Sequence, residues 1–378
     1  MTKRIAFTDI DVSADGWIRC NVTRETTEEF RIQLPYSFVP SPDLIAAAYA
    51  SLCGQAFDEV EIALPIGPEQ VKTIEQALQA KLIHLHGLGT RHRPGTQRGL
   101  NFSGGFDSLA AKEILKDANL ISLDFGGNFS RERNFFERFN PFTIRTNMTA
   151  LKLNTYGWQF MGIGSILLRD ELQLGSYSFG SILAGSLPRL FSHPLDQSTG
   201  GIPVANALGM KLENPVTGVT EIGALQIVAK NHPGLLVDAL MSVALPHEDK
   251  FQRKYQMVEA VSTDLNIPTQ LPEILNRSTK INWGGSFATD LSSLYVIKTM
   301  GVDYISPSYV EGIPANVVEA LEQIDISFMS KVNPQAYHGV DKHVLGDWYN
   351  RLTQNNIMPY DRKDWFEAAK VMRLLRGE

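Results

Sequence analysis

Residues 100–115 read LNFSGGFDSLAAKEIL, and this stretch decides how the rest of the chain is interpreted. Its first residues are apolar and predict a short strand, whereas the second half, rich in Ala, Lys, Glu and Leu, predicts a helix opening at Asp107-Ser108. In the turn between them, two adjacent glycines let the backbone approach a ligand without interference from a Cβ atom. The amide N–H groups of such a turn and of the following helix point at one spot, which predicts a site for an oxyanion such as phosphate.

The six residues 103–108, Ser-Gly-Gly-Phe-Asp-Ser, resemble the PP-loop of the N-type ATP pyrophosphatases. This superfamily includes the asparagine synthetases and the 7-cyano-7-deazaguanine synthases (QueC-like proteins). The resemblance implies that ATP is split between its α and β phosphates, that AMP is transferred to a substrate oxygen, and that the loop binds pyrophosphate. The motif differs from a Walker A loop because no Gly-Lys-Ser/Thr follows. A plain Ser-Gly-Gly loop turn is the alternative, and the position between an apolar strand and a good helix former favours the nucleotide site.

Several further residues are expected to meet at this turn. In an open α/β sheet, ligands bind beyond the carboxyl ends of the strands, so the ends of the next two strands should reach the same crevice. The resemblance implies catalytic roles for Ser103, Asp107 and Ser108, and Asp107 is a plausible carboxylate for Mg²⁺. The predicted ATP-binding residues are Ser103, Gly104, Gly105, Phe106, Asp107, Ser108, Asp124, Phe125, Gly126 and Arg145. ATP and Mg²⁺ are the predicted cofactors.

The order of elements after residue 98 predicts an α/β fold. Strands at residues 120–125, 142–146 and 177–183, with a long apolar helix at 158–172, indicate a parallel sheet with flanking helices. The resemblance makes residues 98–260 a HUP-like PP-loop ATP pyrophosphatase domain. Residues 1–97 predict a small α+β module, and residues 261–378 a mainly helical C-terminal region.

Four segments remain open to two interpretations. Residues 84–95, HLHGLGTRHRPG, follow a helix predicted at 67–82 and form either a solvated linker or a basic flap over a triphosphate. Arg189, His193, Asp196 and residues 198–201 form either a substrate loop or an ordinary exposed connection. Residues 282–290 either cap the site or form a plain turn before a helix. Lys250, Arg253 and Lys254 either contact phosphate or carboxylate groups or form a basic helix face.

The sequence departs from the QueC-like proteins at their zinc site. Residues 221–230 resemble the helix that follows the sheet in those relatives, and a four-cysteine zinc site comes soon afterwards there. The corresponding stretch here, residues 242–255, contains no cysteine. Because a structural zinc needs four thiolate or imidazole ligands at close spacing, no zinc is expected, and a true 7-cyano-7-deazaguanine synthase is disfavoured.

Composition limits the partners. The chain has 378 residues, 43% of them hydrophobic and 20% charged, with a net charge of −6, so binding of long nucleic acid is not favoured. No signal-peptide core and no run of eighteen apolar residues occurs, which predicts a cytoplasmic protein without a membrane segment. The two cysteines, Cys20 and Cys53, fit a reducing compartment.

These features predict an ATP pyrophosphatase of the adenylating ligase type. Both cysteines precede the nucleotide domain and form no Cys-x-x-Cys pair, so an internal persulfide relay is disfavoured. The formation of an amide or other C–N bond is therefore the leading prediction for the reaction. The chain begins Met1-Thr2 without a glutaminase cysteine, so ammonia, an amine substrate or a separate subunit must supply the nitrogen. Two alternatives stay open. One is an RNA- or small-molecule-modifying sulfurtransferase with an external sulfur donor, and the other is a nucleotide-binding component of a defence or biosynthetic complex without turnover. A small-molecule substrate is expected, and the sequence leaves a homodimer or partner subunit open.

Overall fold

The computed structural model describes residues 2–183, 201–272, 281–305 and 310–378. These residues divide into two compact units. The first, called here the sheet unit, holds residues 2–103, 117–179 and 201–213. The second, called the helical unit, holds the remaining described residues, including 104–116 and everything described from residue 214 onward.

A ten-stranded sheet forms the sheet unit. Its strands are β1 (Arg4–Val12), β2 (Trp17–Thr23), β3 (Thr27–Gln33), β4 (Glu59–Ile66), β5 (Lys81–His86), β6 (Gln97–Asn101), β7 (Asn119–Asp124), β8 (Phe142–Thr146), β9 (Leu174–Ser178) and β10 (Lys211–Leu212). They lie in the order β10-β9-β6-β7-β8-β3-β2-β1-β4-β5. Strands β10 to β8 in that order are parallel, β8-β3-β2-β1 pair antiparallel, and β1-β4-β5 are parallel again. The predicted α/β class with a large, mostly parallel sheet is therefore confirmed.

The strands from residues 4–86 do not form a sheet of their own. Strand β3 pairs antiparallel with β8, with Ile32 opposite Thr146 and Gln33 opposite Arg145. The α+β elements predicted for residues 1–97 thus supply half of the central sheet. The domain boundaries at residues 97 and 260 stay a prediction.

The helices of the described residues, in chain order, are α1 (Pro42–Cys53), α2 (Pro68–Leu78), α3 (Phe106–Leu115), α4 (Ser130–Phe136), α5 (Ile163–Leu167), α6 (Pro203–Ala207), α7 (Glu221–Asn231), α8 (Leu236–Val243), α9 (Asp249–Asp264), α10 (Phe287–Met300), α11 (Val302–Ile305), α12 (Ala315–Glu322), α13 (Lys342–Gln354) and α14 (Arg362–Arg376). Helices α1, α2, α4, α5 and α6 belong to the sheet unit, and the others to the helical unit. Helix α1 begins with a Ser41 cap on Leu44 N and Pro42 in its first turn. Its residues are buried almost throughout against the sheet, because small alanines allow close packing.

The helical unit packs helices against one another. Helix α3 packs on α7, and α9 packs on α10. The largest fully buried side chains of this unit are Trp348, Phe251 and Phe328. A two-stranded parallel pair, β11 (Ile281–Asn282) and β12 (Val310–Glu311), completes it. The predicted helical character of the C-terminal region is confirmed for the described residues.

Three predicted elements were wrong in extent. Residues 158–172 form a 3₁₀ turn and the short α5 rather than one helix, because Gly162 and Gly164 lower helix propensity. The strand predicted at 177–183 is β9, which begins three residues earlier and ends five residues earlier. Its buried Ser176 and Ser178 hydroxyls fit a strand because each donates to Glu213.

The third wrong extent is that of α2. The helix predicted to reach about residue 82 ends at Leu78, since Gln79 adopts the left-handed conformation with φ +52°. Residues 81–86 then form strand β5, paired parallel to β4. Part of the segment predicted as a linker or flap is therefore a strand.

Within the described ranges, every helix is too short or too polar to cross a lipid bilayer.

Candidate nucleotide site

The Ser-Gly-Gly turn connects the end of β6 to the start of α3. Gly105 is the N-cap of α3 and offers no side-chain cap, so the first-turn amides of the helix lack a capping side chain. Gly104 has φ +79°, a conformation that favours glycine. The helix begins at Phe106, one residue before the predicted start. This arrangement leaves main-chain donors at the positive end of a helix of ten residues.

The side chains of the turn differ in exposure. Ser103 is exposed, Phe106 is buried, and Asp107 is partly buried in the first turn of α3. The Ser108 hydroxyl donates to Gly105 O at 2.9 Å. The Ser108 hydroxyl therefore stabilises the turn through this hydrogen bond.

A buried lysine lies beside the first turn of α3. Lys254, on α9, is 5% exposed, and its Nζ is 3.6 Å from Asp107 Oδ1 and 2.5 Å from Glu221 Oε1. Its ammonium also lies 5.6 Å from the ring centroid of Phe106. Arg253 pairs with the other oxygen of Glu221, which stands in the first turn of α7. Three helices of the helical unit thus bring two carboxylates and two cations together.

The charge cluster shifts the pKa values of its members. Burial raises the pKa of Asp107, with Lys254 opposing the rise and Glu221 adding to it. Burial alone would raise the pKa of Glu221, but Lys254 and Arg253 outweigh it and hold the value below 4.5. Burial lowers the pKa of Lys254, yet Asp107 and Glu221 outweigh that effect and raise it. The lysine is therefore a fixed buried cation at neutral pH.

Asp107 keeps unused hydrogen-bonding capacity. Its Oδ1 is buried and, among the described residues, has no hydrogen-bond partner, because Lys254 Nζ is too distant for one. A buried carboxylate oxygen without a hydrogen bond is costly in a folded protein and commonly marks a site for an ion or ligand. Lys250 adds a third positive charge that acts on Asp107. The Asp107 carboxylate is the type of ligand that Mg²⁺ uses, since this ion binds through one or two carboxylates together with substrate phosphates.

Gly180 packs directly on the first turn of α3. A Cβ atom added at Gly180 would lie 2.5 Å from Ser108 N and 2.6 Å from the carbonyl carbon of Asp107. Both are backbone atoms, which cannot move aside cheaply. The residue that follows Phe179 after β9 must therefore be glycine for the turn to keep its shape.

We expect Gly180→Ala to lower the free energy of unfolding by about 1–3 kcal/mol and to weaken any ligand held by the α3 amides. Gly234→Ala is the matched control, since nothing lies within 4 Å of a Cβ there. The control should stay within about 1 kcal/mol of the wild type. Urea unfolding monitored by circular dichroism measures both, and equal effects of the two substitutions would contradict the close approach at Gly180.

Glu221 should contribute to acid stability. Because its folded-state pKa is depressed, its contribution is present above pH 4.5 and is lost as the pH falls through the folded-state value. Urea midpoints measured from pH 7 to pH 3 should therefore fall less steeply for Glu221→Gln than for the wild type. If the two proteins showed the same pH dependence, the Lys254 and Arg253 contacts would not be lowering the pKa of the Glu221 carboxyl.

The other predicted ATP-binding residues lie in the sheet unit, at the carboxyl ends of β7 and β8. Asp124 is buried, and its Oδ2 lies 3.2 Å from Arg133 Nη1 and 3.7 Å from Arg145 Nε. Its Oδ1 accepts the main-chain N–H of Gly126 at 2.9 Å. The structure therefore brings Asp124, Gly126 and Arg145 together, with the aspartate occupied in an internal network.

Phe125 stands next to this network and is partly buried. Its ring packs edge-on against Phe129 and Phe160, with centroids 5.4 and 6.1 Å apart. Gly126 has φ +66°, and a Cβ there would meet nothing within 4 Å. The end of β7 thus offers an apolar ring beside open main chain, which suits a planar base.

Sequence reasoning missed Glu221 and Gly180 and left Lys254 undecided. A signal for Lys254 existed, because it follows Phe251 by three residues and precedes Val258 by four, which places it on the buried face of α9. A lysine on that face needs a carboxylate partner. The partner, Glu221, is more than thirty positions away, and no local pattern identifies it.

Two further observations complete the site. Residues 184–200, which include Arg189, His193 and Asp196, lie outside the described residues. Within the described ranges, no group of three or more His, Cys, Asp and Glu side chains is arranged to hold a metal ion without other ligands.

Comparison of the chain with protein-family models, with curated proteins and with solved structures gives no match.

Proposed function

We propose that the chain is an ATP-dependent adenylating enzyme of the PP-loop type, which splits ATP into AMP and pyrophosphate and joins a nitrogen nucleophile to the activated substrate. The observation that carries the proposal is the buried Lys254, held beside Asp107 on the first turn of the helix that the Ser-Gly-Gly turn opens. A fixed cation and the main-chain amides at the positive end of α3 are suited to a polyphosphate, and the carboxylate beside them is suited to its metal ion.

The strand order supports the HUP-like part of the proposal. In chain order, β6 to β10 are the first to fifth strands of a parallel run that is arranged 3-2-1-4-5 in space. In sheets of this order, ligands bind beyond the carboxyl ends at the point where the order reverses, between the first and fourth strands. Here those strands are β6 and β9, and they are followed in sequence by the Ser-Gly-Gly turn and by Gly180.

Each residue of the cluster has a proposed task. The amides at the start of α3 bind the β and γ phosphates, and Lys254 stabilises the negative charge that builds on them as the bond to the α phosphorus breaks. Asp107 holds Mg²⁺, which neutralises phosphate charge when bound. Glu221 positions Lys254 through its ion pair with the ammonium, and Arg253 holds Glu221 in place from its other oxygen.

The proposed reaction has two steps. A substrate carboxyl or carbonyl oxygen attacks the α phosphorus, forming an O–P bond while the bond to the β-phosphate oxygen breaks and pyrophosphate leaves. A nitrogen nucleophile then attacks the activated carbon, the C–O bond breaks, and AMP leaves with the oxygen. The proton lost by the nitrogen passes to solvent.

The burial of both cysteines favours a nitrogen nucleophile over sulfur carried by this chain. Cys20 and Cys53 are buried, and burial raises the pKa of the Cys20 thiol to about 12 and that of Cys53 further. A thiol reacts as its thiolate, so neither is suited to carry a persulfide. Thiolation through this chain would need an external sulfur donor.

The test uses ATP labelled on either the α or the γ phosphate, with Mg²⁺, ammonium and pooled cell metabolites. The proposal predicts labelled AMP and labelled pyrophosphate, whose formation depends on the metabolite pool and on ammonium or an amine. Formation of ADP and phosphate would overturn it. Formation of AMP that requires a sulfide donor would favour the sulfurtransferase, and ATP binding without cleavage would favour a nucleotide-binding component of a complex.

A further inference from the structure

A cavity lies wholly within the sheet unit, at the N-terminus of α2. It has a volume of about 620 Å³, which is within the range of small-molecule pockets. The start of α2, the loop after β5 and the end of α6 line it. None of the residues assigned to ATP lines this cavity.

The first turn of α2 presents uncapped donors to this cavity. Gly67 is the N-cap and provides no side-chain hydrogen bond, while Pro68 occupies the first helical position. The main-chain amides of Glu69 and Gln70 precede the first residue with an intrahelical bond, Val71, whose N–H donates to Gly67 O. The helix has eleven residues, so its positive end is developed.

One buried side chain with an unused nitrogen donor also lines the cavity. Gln70 is 8% exposed, and its Nε2 has no hydrogen-bond partner within the described part of the chain. A buried amide nitrogen of this kind is rare and calls for an acceptor. His92, which also lines the cavity, donates from Nδ1 to Asp170 Oδ2 at 2.8 Å.

The charged side chains at the cavity are two cations and two carboxylates. Lys72 and Arg91 are exposed at its rim, and so is Glu69. Asp43 is buried, and its two oxygens accept the main-chain N–H groups of Gly67 and Thr90 at 3.0 and 2.5 Å, which fixes the loop after β5 against the start of α2. Because these four charges balance, the preference for an anion comes from the α2 amides and the Gln70 nitrogen.

We propose that this cavity binds the phosphate group of a small phosphate monoester. A phosphate has three terminal oxygens, which match the amides of α2, the Gln70 amide nitrogen and the guanidinium of Arg91 better than the two oxygens of a carboxylate do. The rest of the ligand occupies the remaining volume beside Leu208. The basic segment that the sequence left as a linker or a flap over ATP thus serves a separate site.

The test is isothermal titration of the whole protein with inorganic phosphate, ribose 5-phosphate and acetate. Gln70→Leu keeps the buried volume and removes the donor, and Arg91→Gln removes a charge from an exposed position. Lys81→Gln is the matched control, because Lys81 is exposed in the same unit and does not line the cavity. We expect both phosphates to bind and each cavity variant to weaken them at least about tenfold, while Lys81→Gln and Gly180→Ala leave one phosphate site intact.

Three results would overturn the proposal. The first is that neither phosphate binds to the wild type, and the second is that Lys81→Gln weakens binding as much as Arg91→Gln does. The third is that acetate binds as tightly as ribose 5-phosphate. Binding that is lost only in Gly180→Ala would assign the phosphate to the α3 turn instead.

Discussion

Replacing Lys254 by methionine is expected to lower AMP formation at least about a thousandfold and the free energy of unfolding by about 3–5 kcal/mol. Methionine keeps most of the side-chain volume, so the loss comes from the charge. Without the ammonium, the carboxylates of Asp107 and Glu221 face each other across a buried space with only Arg253 and the exposed Lys250 to compensate. Urea unfolding and the labelled-ATP assay measure the two effects.

A double variant separates stability from catalysis. Lys254→Met combined with Asp107→Asn removes one charge of each sign, so it should regain much of the lost stability while AMP formation stays absent. Lys250→Ala, an exposed position on the same helix, should change the unfolding free energy by no more than about 0.5 kcal/mol. If Lys254→Met retained full AMP formation, the lysine would be structural only.

Asp107→Asn is expected to lower pyrophosphate release by about a hundredfold to a thousandfold with the fold intact. Burial raises the pKa of Asp107, so this carboxyl contributes stability below its unfolded-state pKa, and the contribution is lost as the pH rises through the folded-state value. At pH 7 the buried negative charge therefore carries a desolvation cost. Removing that charge offsets the loss of the Lys254 contact. We therefore expect the unfolding free energy at pH 7 to stay within about 1 kcal/mol of the wild type.

Asp117→Asn is the control for this substitution, because Asp117 is exposed shortly after the end of the same helix. It should leave pyrophosphate release unchanged. Ser103→Ala should behave like Asp107→Asn, since Ser103 belongs to the predicted loop. Unchanged release in both Asp107→Asn and Ser103→Ala would remove the turn from the mechanism.

Local signals predicted much of the fold. Strand β8 was predicted with its observed bounds, and the start of α3 to within one residue, because strand patterns and helix-start signals act over a few residues. The pairing of β3 with β8 could not be predicted in this way, since it joins residues more than a hundred positions apart. The left-handed backbone conformation of Gln79, which ends α2, was also not indicated by the sequence.

The candidate site also combines features with local sequence signals and features that depend on long-range contacts. The turn at residues 103–108 was visible because glycines and a helix start stand next to each other. The contacts that give it chemical character are not local: Glu221 and Lys254 reach Asp107 through the packing of three helices. Gly180 approaches the turn from beyond β9, and its need for glycine is set by distance to the backbone of Ser108.

The most direct test of adenylation is mass spectrometry of the AMP formed in H₂¹⁸O with ATP, Mg²⁺, ammonium and pooled metabolites. If the substrate oxygen attacks the α phosphorus and nitrogen then displaces AMP from carbon, the AMP carries the oxygen of the substrate and no oxygen from the solvent. We predict that result for the wild type. AMP that gains one ¹⁸O per turnover would show that water attacks the α phosphorus directly, which would contradict transfer of AMP to a substrate.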